Sequence, residues 1–442
     1  MNDNLGLFDR TPDDPADVDV DQLRQALQRN AGTARAGFDS GRPATGRRAA
    51  RAQLQQARRR RRRKFTTIFA AACVMLAIIV VVVALIIRWQ KESQVVPDFV
   101  GTGDSDVIVR IERGDVLADI ASTLISQNVV AGSEAFTAAA AGNVGISELS
   151  PGFYKIRQHA SAAAAVAALT DPASRVGTVK IIPGLTLADV SRSRAGSDTT
   201  SVVPGYISQI TAAACVPLNG VSDCFTADQL WEVARNADPA TLGVVGWAVD
   251  RVKKVADPSR RLEGLIAPGD YDIAPGSDPT KALQSVLKSS AAYWNSTGVQ
   301  TGAKALGISP YDAVVIASLI EKEGIPSDMR NVSRVIYNRL KIDMKLQFDS
   351  TVNYGLDRAQ LATTEAERLD PANLYSTYAH KGLPPNPIGS PGPDAVDAML
   401  DPAQGKWIYF VKVDLDGNSC FSVTYAQHEK CIEQARAAGV FD

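Results

Sequence analysis

An α+β chain is predicted, with one apolar helix near the N-terminus, a small α/β module after it and a mixed α/β domain in the C-terminal part. Three observations predict this. Phe65 to Ile87 is uncharged and apolar apart from Thr66 and Thr67, and it is long enough to cross a hydrocarbon layer of about 30 Å. From Val107 onward, short β-branched runs alternate with helical patterns across Gly- and Asp-bearing turns, the order expected of mixed α/β structure. From Pro279 onward, apolar residues at three-to-four spacing take over until a Pro-rich stretch and a hairpin pattern close the chain.

Residues 1–64 carry Asp-rich patches, then Gly, Pro and Arg, with few large apolar side chains. That composition predicts a disordered tail, with a short helix around Val20 to Gln28. The net charge of −1 conceals the contrast between this arginine-rich tail and a mildly acidic remainder. An unbroken run of cations, Arg58 to Lys64, abuts the apolar span, while only Arg88 and Lys91 follow it closely. The positive-inside rule then places the tail in the cytoplasm and residues from about 90 onward outside, the chain crossing the membrane once. A core helix would keep a polar face, and a cleavable signal would be shorter and nearer the N-terminus. The arginine run could also suit nucleic acid. Beside an uninterrupted apolar span, topology and contact with anionic lipid heads account for it better, so no nucleic-acid partner is expected.

After a linker over 88–106, Val107 to Arg110 is predicted as a strand, and Gly114-Asp115 as a turn. A helix from Val116 to Gln127 presents Leu117, Ile120, Ala121 and Leu124 on one face. A second helix is expected over Gly132 to Ala141 and a returning strand over Gly152 to Ile156. The same strand-glycine-helix theme is expected again at Val179 to Ile182, Pro183-Gly184 and a helix from Thr186 to Arg192. Residues 107–182 thus resemble a LysM module, a fold that holds cell-wall amino sugars, although a structural spacer fits the pattern equally. Residues 183–278 form a connecting region with a helix around Ala227 to Arg235 and a Gly- and Pro-punctuated segment, Leu262 to Tyr271.

Residues 279–442 form the last domain. Helices are expected at Pro279 to Trp294, Pro310 to Glu323 and Asp328 to Lys341, then a short one at Ala395 to Leu400. Lys381 to Gly392 is a rigid turn-rich loop that can be neither helix nor central strand. Trp407 to Val413 and Asn418 to Val423 pair as a hairpin across Asp416-Gly417, before a helix from Tyr425 to Ala438. Of the five cysteines, Cys73 lies in the apolar span; Cys215 with Cys224 and Cys420 with Cys431 form two near pairs. Export to an oxidising compartment would allow two local disulfides. Zinc is a weak alternative, since the spacings are wrong and the chain has three histidines.

The chemistry concentrates at Ala317 to Gly324, A-S-L-I-E-K-E-G. Residues two apart on a helix point roughly 200° apart, so Glu321 and Glu323 cannot share one cleft. A carboxyl near a helix C-terminus should have a raised pKa, which suits a general acid. A solvated helix end is the plainer alternative, and on this stretch alone it is the favoured one.

The order of motifs does decide. A-S-L-I-E-K-E-G is followed by V-I-Y-N-R-L, L-Q-F-D-S-T-V-N-Y-G, Y-S-T-Y, G-L-P-P-N-P-I-G-S-P-G, Y-F-V and F-S-V-T-Y-A-Q-H. This series closely resembles the YceG-like family of endolytic murein transglycosylases, over about residues 105–442 and most specifically from Pro310 to His428. The resemblance implies a bitopic bacterial inner-membrane enzyme that cleaves the β-1,4 bond between N-acetylmuramic acid and N-acetylglucosamine in nascent glycan strands. It would leave a 1,6-anhydro end, terminate strand elongation, need no cofactor or metal, and have cell-wall synthases as partners. The family's catalytic glutamate falls on Glu323. One acid suffices if it protonates the glycosidic oxygen and then takes the proton of the sugar's own C6 hydroxyl, unlike paired-acid hydrolases. Asp349 is the candidate for any second acid. Together with Gln347, Thr351, Thr377 and Tyr378 it is expected to position glycan or support the site, roles that plain loop-holding hydrogen bonds would mimic. Family members often carry Thr, Pro and Asn at the positions of Phe348, Ser350 and Ser376, so sugar contacts here can differ. The pair Cys420 and Cys431 lies outside the family motif. His428 is expected to anchor the last helix rather than serve as a base. A wall-binding anchor with an inactive catalytic fold is the rival expectation.

Overall fold

The computed structural model describes residues 73–86, 88, 96–193, 200–359 and 363–440. The expected tail helix at Val20 to Gln28, and the start of the apolar span, lie outside them. Residues Cys73–Ile86 form an apolar helix with exposed side chains such as Met75 and Leu76. Among the described residues no single helix is both long and apolar enough to cross a membrane.

The chain from Val95 on is a separate compact unit with two apolar cores. In the smaller, strands β1 (Asp106–Ile111), β2 (Gly152–Arg157) and β3 (Arg175–Val176) form an antiparallel sheet in that order. Helices Leu117–Ser126, Ser133–Ala140 and Ala162–Thr170 cover it, burying Ile120, Leu124, Phe136 and Val166 against Val109 and Ile156. The small module is therefore strand, helices, strand as expected, and the helix Ala162–Thr170 and β3 follow the returning strand where no element was expected.

The second theme is not repeated. Strand β4 (Thr178–Ile181) is followed not by a helix but by a turn and a further strand, β5 (Val190–Ser193), paired antiparallel with β6 (Thr200–Val203) and parallel with β8 (Arg358–Ala359). The cause is local: the Thr186 hydroxyl donates to the Ala188 carbonyl at 2.8 Å and Asp189 accepts the Gly205 N–H at 2.8 Å. Both side chains offer the backbone partners that compete with a helix. Strand β4 pairs with β7 (Gly269–Asp272), and Val179 and Ile181 belong to the larger core.

That larger core is built around the helix Pro310–Glu323. Ser309 caps it by accepting the Asp312 N–H at 3.0 Å, and Pro310 occupies its first turn. Every residue from Ala313 to Ile320 is buried, so this is a central helix wrapped on all sides rather than an amphipathic one. Helices Met329–Lys341 and Pro393–Leu400 pack on it. Two further helices, Val299–Ala305 and Asp349–Gly355, stand where no helix was expected; each is only seven residues long, too short for a periodic signal. The hairpin of β9 (Tyr409–Lys412) and β10 (Ser419–Ser422) follows, then the helix Tyr425–Ala437. The structure joins Cys215 to Cys224 and Cys420 to Cys431, and Cys73 is free.

Candidate active site

The central helix delivers the E-K-E motif to the surface at its C-terminal end, and the two glutamates diverge. Glu321 Oε2 accepts the Gly392 N–H at 2.9 Å, capping the helix Pro393–Leu400 at its start. Lys322 donates to the Gly184 carbonyl at 2.6 Å. Glu323, half-buried, turns the other way, and its Oε1 accepts the Ser350 hydroxyl at 2.5 Å.

The Glu323 carboxyl is pushed above the ordinary glutamate range, chiefly by burial and also by the Asp349 carboxylate; the Ser350 hydroxyl and N–H and the Lys412 ammonium pull it down. Desolvation, not the helix dipole, is thus the leading cause. Glu321 is raised as well, again by burial, so pKa does not separate the two. Geometry does, because the Glu321 carboxyl is spent on a helix cap. A half-buried carboxyl whose pKa is raised and which is held by the Ser350 hydroxyl can act as a general acid.

The expected supporting residues split into two groups. Asp349 Oδ1 accepts from the Thr363 hydroxyl (2.8 Å), Arg368 Nε (3.0 Å) and the Tyr378 hydroxyl (2.9 Å), and Oδ2 accepts Arg368 Nη2 at 3.0 Å. A carboxylate so occupied is a poor second acid, and its service to Glu323 is electrostatic. Thr351 and Thr377 are buried and bond each other at 3.0 Å, while Thr377 Oγ1 accepts the Phe348 N–H at 2.9 Å. They hold together the loop and helix that carry Ser350. The Gln347 side chain is exposed; its backbone, at φ 53°, donates to the Thr377 carbonyl at 3.1 Å. His428 stacks on Tyr409 at 5.2 Å, pinning the last helix to β9.

The turn-rich loop at Lys381–Gly392 is largely buried, which requires partners for its backbone. Ser318, inside the central helix, accepts the Ile388 N–H at 3.1 Å. Ser390 exchanges backbone bonds with Gly184 and Leu185 at 2.7 and 2.9 Å. Gly264 sits at φ +72°, and a Cβ there would lie 2.3 Å from Pro387 Cβ, so glycine is required on both counts.

Sequence reasoning missed Ser350 as the partner of the acid and Glu263 altogether. Glu263 is 2% exposed and lines a cavity of about 400 Å³ together with Ser350, Trp231, Arg260, Lys322 and Arg358. The signal for it was its place in Leu262-Glu-Gly-Leu, an acid inside an apolar stretch. Among the described residues no group of three or more His, Cys, Asp or Glu is arranged to hold a metal ion.

Comparison with known proteins shows what the chain is similar to. A Bacillus subtilis protein named endolytic murein transglycosylase is 32% identical over 178 residues, 39% of this chain and 48% of that one. A Streptococcus pneumoniae protein of the same name is 27% identical over 179 residues, 39% of this chain and 32% of that one. The matched segment therefore spans about half the length of the first relative and a third of the second. A solved yceG-like protein from Listeria monocytogenes aligns over 74% of this chain and 98% of its own, at 22% identity and a TM-score of 0.46. The model of the YceG-like family matches residues 109–434, and the chain belongs to that family.

Proposed function

We propose that this protein is a lytic transglycosylase that cuts peptidoglycan glycan strands between N-acetylmuramic acid and N-acetylglucosamine, with Glu323 as the acid. The observation that carries the reading is the Glu323 carboxyl, half-buried, raised in pKa and held by Ser350, in a family whose relatives are named endolytic murein transglycosylases. Glu323 protonates the glycosidic oxygen as the bond breaks. The resulting carboxylate, steadied by the Ser350 hydroxyl and N–H, then accepts the proton of the C6 hydroxyl as that oxygen closes on C1. No water enters and the acid is regenerated, so the cut strand carries a 1,6-anhydro end. Cutting nascent strands would end their elongation beside the synthases.

The arginine run and apolar span support a single-pass placement in the cytoplasmic membrane, tail inside and catalytic part outside. In that arrangement the β1–β3 module serves as a LysM-like glycan holder.

The test is mass analysis of products from purified glycan strands. The parent protein should release anhydro-ended fragments, one water lighter per cut than a hydrolase would give. Glu323→Gln should lower their rate at least about a hundredfold, the usual share of a general acid. Undiminished product from Glu323→Gln would sink the assignment, and binding without product by the parent would mark a wall anchor instead.

A further inference from the structure

The hairpin of β9 and β10 is fastened beside the acid at several points. The Ser419 N–H on β10 donates to Asp328 Oδ2 at 2.7 Å, and a Cβ on Gly417 would lie 3.1 Å from Ile325 Cγ2. The hairpin thus rests on residues that directly follow Glu323. Its neighbour Cys420 is bridged to Cys431, which is buried on the last helix. On β9 successive side chains point to opposite faces. Tyr409 stacks on His428 of the last helix, whereas Phe410 packs on Phe348 with ring centroids 5.9 Å apart, on the loop that leads to Ser350. Lys412 shares the face of Phe410 and stands across the ladder from Ser419. Alternation and register therefore aim its ammonium at the end of the central helix, where Glu323 stands.

Asp349 and Ser350 from the helix Asp349–Gly355, Arg339 from the helix Met329–Lys341, Tyr378 and Lys412 are the groups turned on Glu323 from neighbouring elements. Most are already committed. Asp349 is held by Thr363, Arg368 and Tyr378, and Ser350 is bonded to Glu323 itself. Arg339 is buried, with Nε on the Ile408 carbonyl at 2.6 Å and Nη1 on that of Leu346. Lys412 alone of these is exposed, and its charge favours the Glu323 carboxylate through space rather than through a hydrogen bond. That spacing suits an acid that must also become a base. A contact ion pair would hold Glu323 ionised and spoil proton donation, whereas a more distant cation leaves burial in control and still stabilises the anion once it forms.

We propose that Lys412 is a positioning residue of the reaction, the cation that steadies the Glu323 carboxylate between its two proton transfers. The proposal rests on the transglycosylase reading and adds to it a residue outside the E-K-E helix. As the bond from C1 to the glycosidic oxygen breaks, the Glu323 proton passes to that oxygen. As the C6 oxygen bonds C1, the C6 hydroxyl proton returns to Glu323. Lys412 stays an ammonium throughout and neither gives nor takes a proton.

The experiment is the pH profile of kcat and KM for release of anhydro-ended fragments from glycan strands by the full chain in detergent. Lys412→Gln should move the alkaline limb of kcat to higher pH by about half a unit, the effect of one exposed charge, and Lys412→Glu by about twice that. The kcat plateau of Lys412→Gln should fall by up to about threefold with KM little changed. Lys412→Arg should restore both limb and plateau. The gap between the parent and Lys412→Gln should close in about 1 M salt, where the screening length is about 3 Å. A limb unmoved in both Lys412→Gln and Lys412→Glu overturns the proposal. So does a change confined to KM, which would mark a contact with substrate, or a Lys412→Arg that behaves as Lys412→Gln, which would mark a role in packing. These outcomes are separate from failure of the transglycosylase reading, which shows as undiminished product from Glu323→Gln.

Discussion

Ser350 sets the working range of the acid. Its hydroxyl and N–H favour the Glu323 carboxylate, while burial and the Asp349 charge favour the protonated form and win. Glu323 must be protonated when the glycosidic bond breaks, so the rate should fall as pH rises through its pKa. Ser350→Ala removes a pull toward the anion, and the alkaline limb of the kcat–pH profile should move to higher pH. Asp349→Asn removes a charge that opposes the anion, and the limb should move to lower pH. If neither substitution displaces the limb, the titrating acid is not Glu323. Position 350 stood out in the sequence only as a departure from the family pattern. That its side chain reaches a residue 27 positions earlier is a tertiary fact with no local signature.

At the scale of elements, the central helix and the turn-rich loop behave as one piece. The Glu321 carboxyl caps the helix Pro393–Leu400 through Gly392, so Glu321→Gln, which retains an acceptor, should leave activity near that of the parent. Glu321→Ala should cost about 1–2 kcal/mol in a denaturant titration, in the range of a lost cap. A dead Glu321→Gln beside an active Glu323→Gln would reverse the two roles. The Cys420–Cys431 bridge ties β10 to the last helix across a separation of 11 residues, and Cys420→Ser with Cys431→Ser should lower stability by about 3 kcal/mol on the loop-entropy scale. An unchanged unfolding midpoint under oxidising conditions would show that the bridge contributes nothing. The helix Pro310–Glu323 was legible to the residue, because Ser309-Pro310 is a strong start and its apolar run is long. Thr186 to Arg192 was misread because its apolar spacing resembles a helix while Thr186 and Asp189 divert the backbone into a turn. The split between Glu321 and Glu323 was legible from the 3.6-residue period. The period alone did not say which of the two is held by the turn-rich loop, because that loop lies some 70 residues away.

For the whole molecule, the placement of carboxyls shapes the dependence of stability on pH. Surface carboxylates such as the exposed Asp238 and Asp278 and the half-buried Glu367 are held below their ordinary range by Lys253, by helix N–H groups and by Arg358. Their contribution is present above the unfolded pKa and is lost as acid protonates them. Glu263 works in the opposite sense, since burial lifts it from 4.5 to about 7. The folded chain then binds the extra proton between those two values, so stability falls as pH rises from about 4.5 to 7. The full loss from this one group is about 3 kcal/mol. Glu321 and Glu323, also raised by burial, add to the fall. Stability should therefore be greatest on the acid side of neutrality, and Glu263→Gln should remove the largest single part of the decline. The check is the unfolding midpoint in denaturant at pH 5 and pH 8 for the two proteins. The parent should lose stability between these values while the variant loses much less; equal losses would mean that burial does not raise Glu263 in the folded protein.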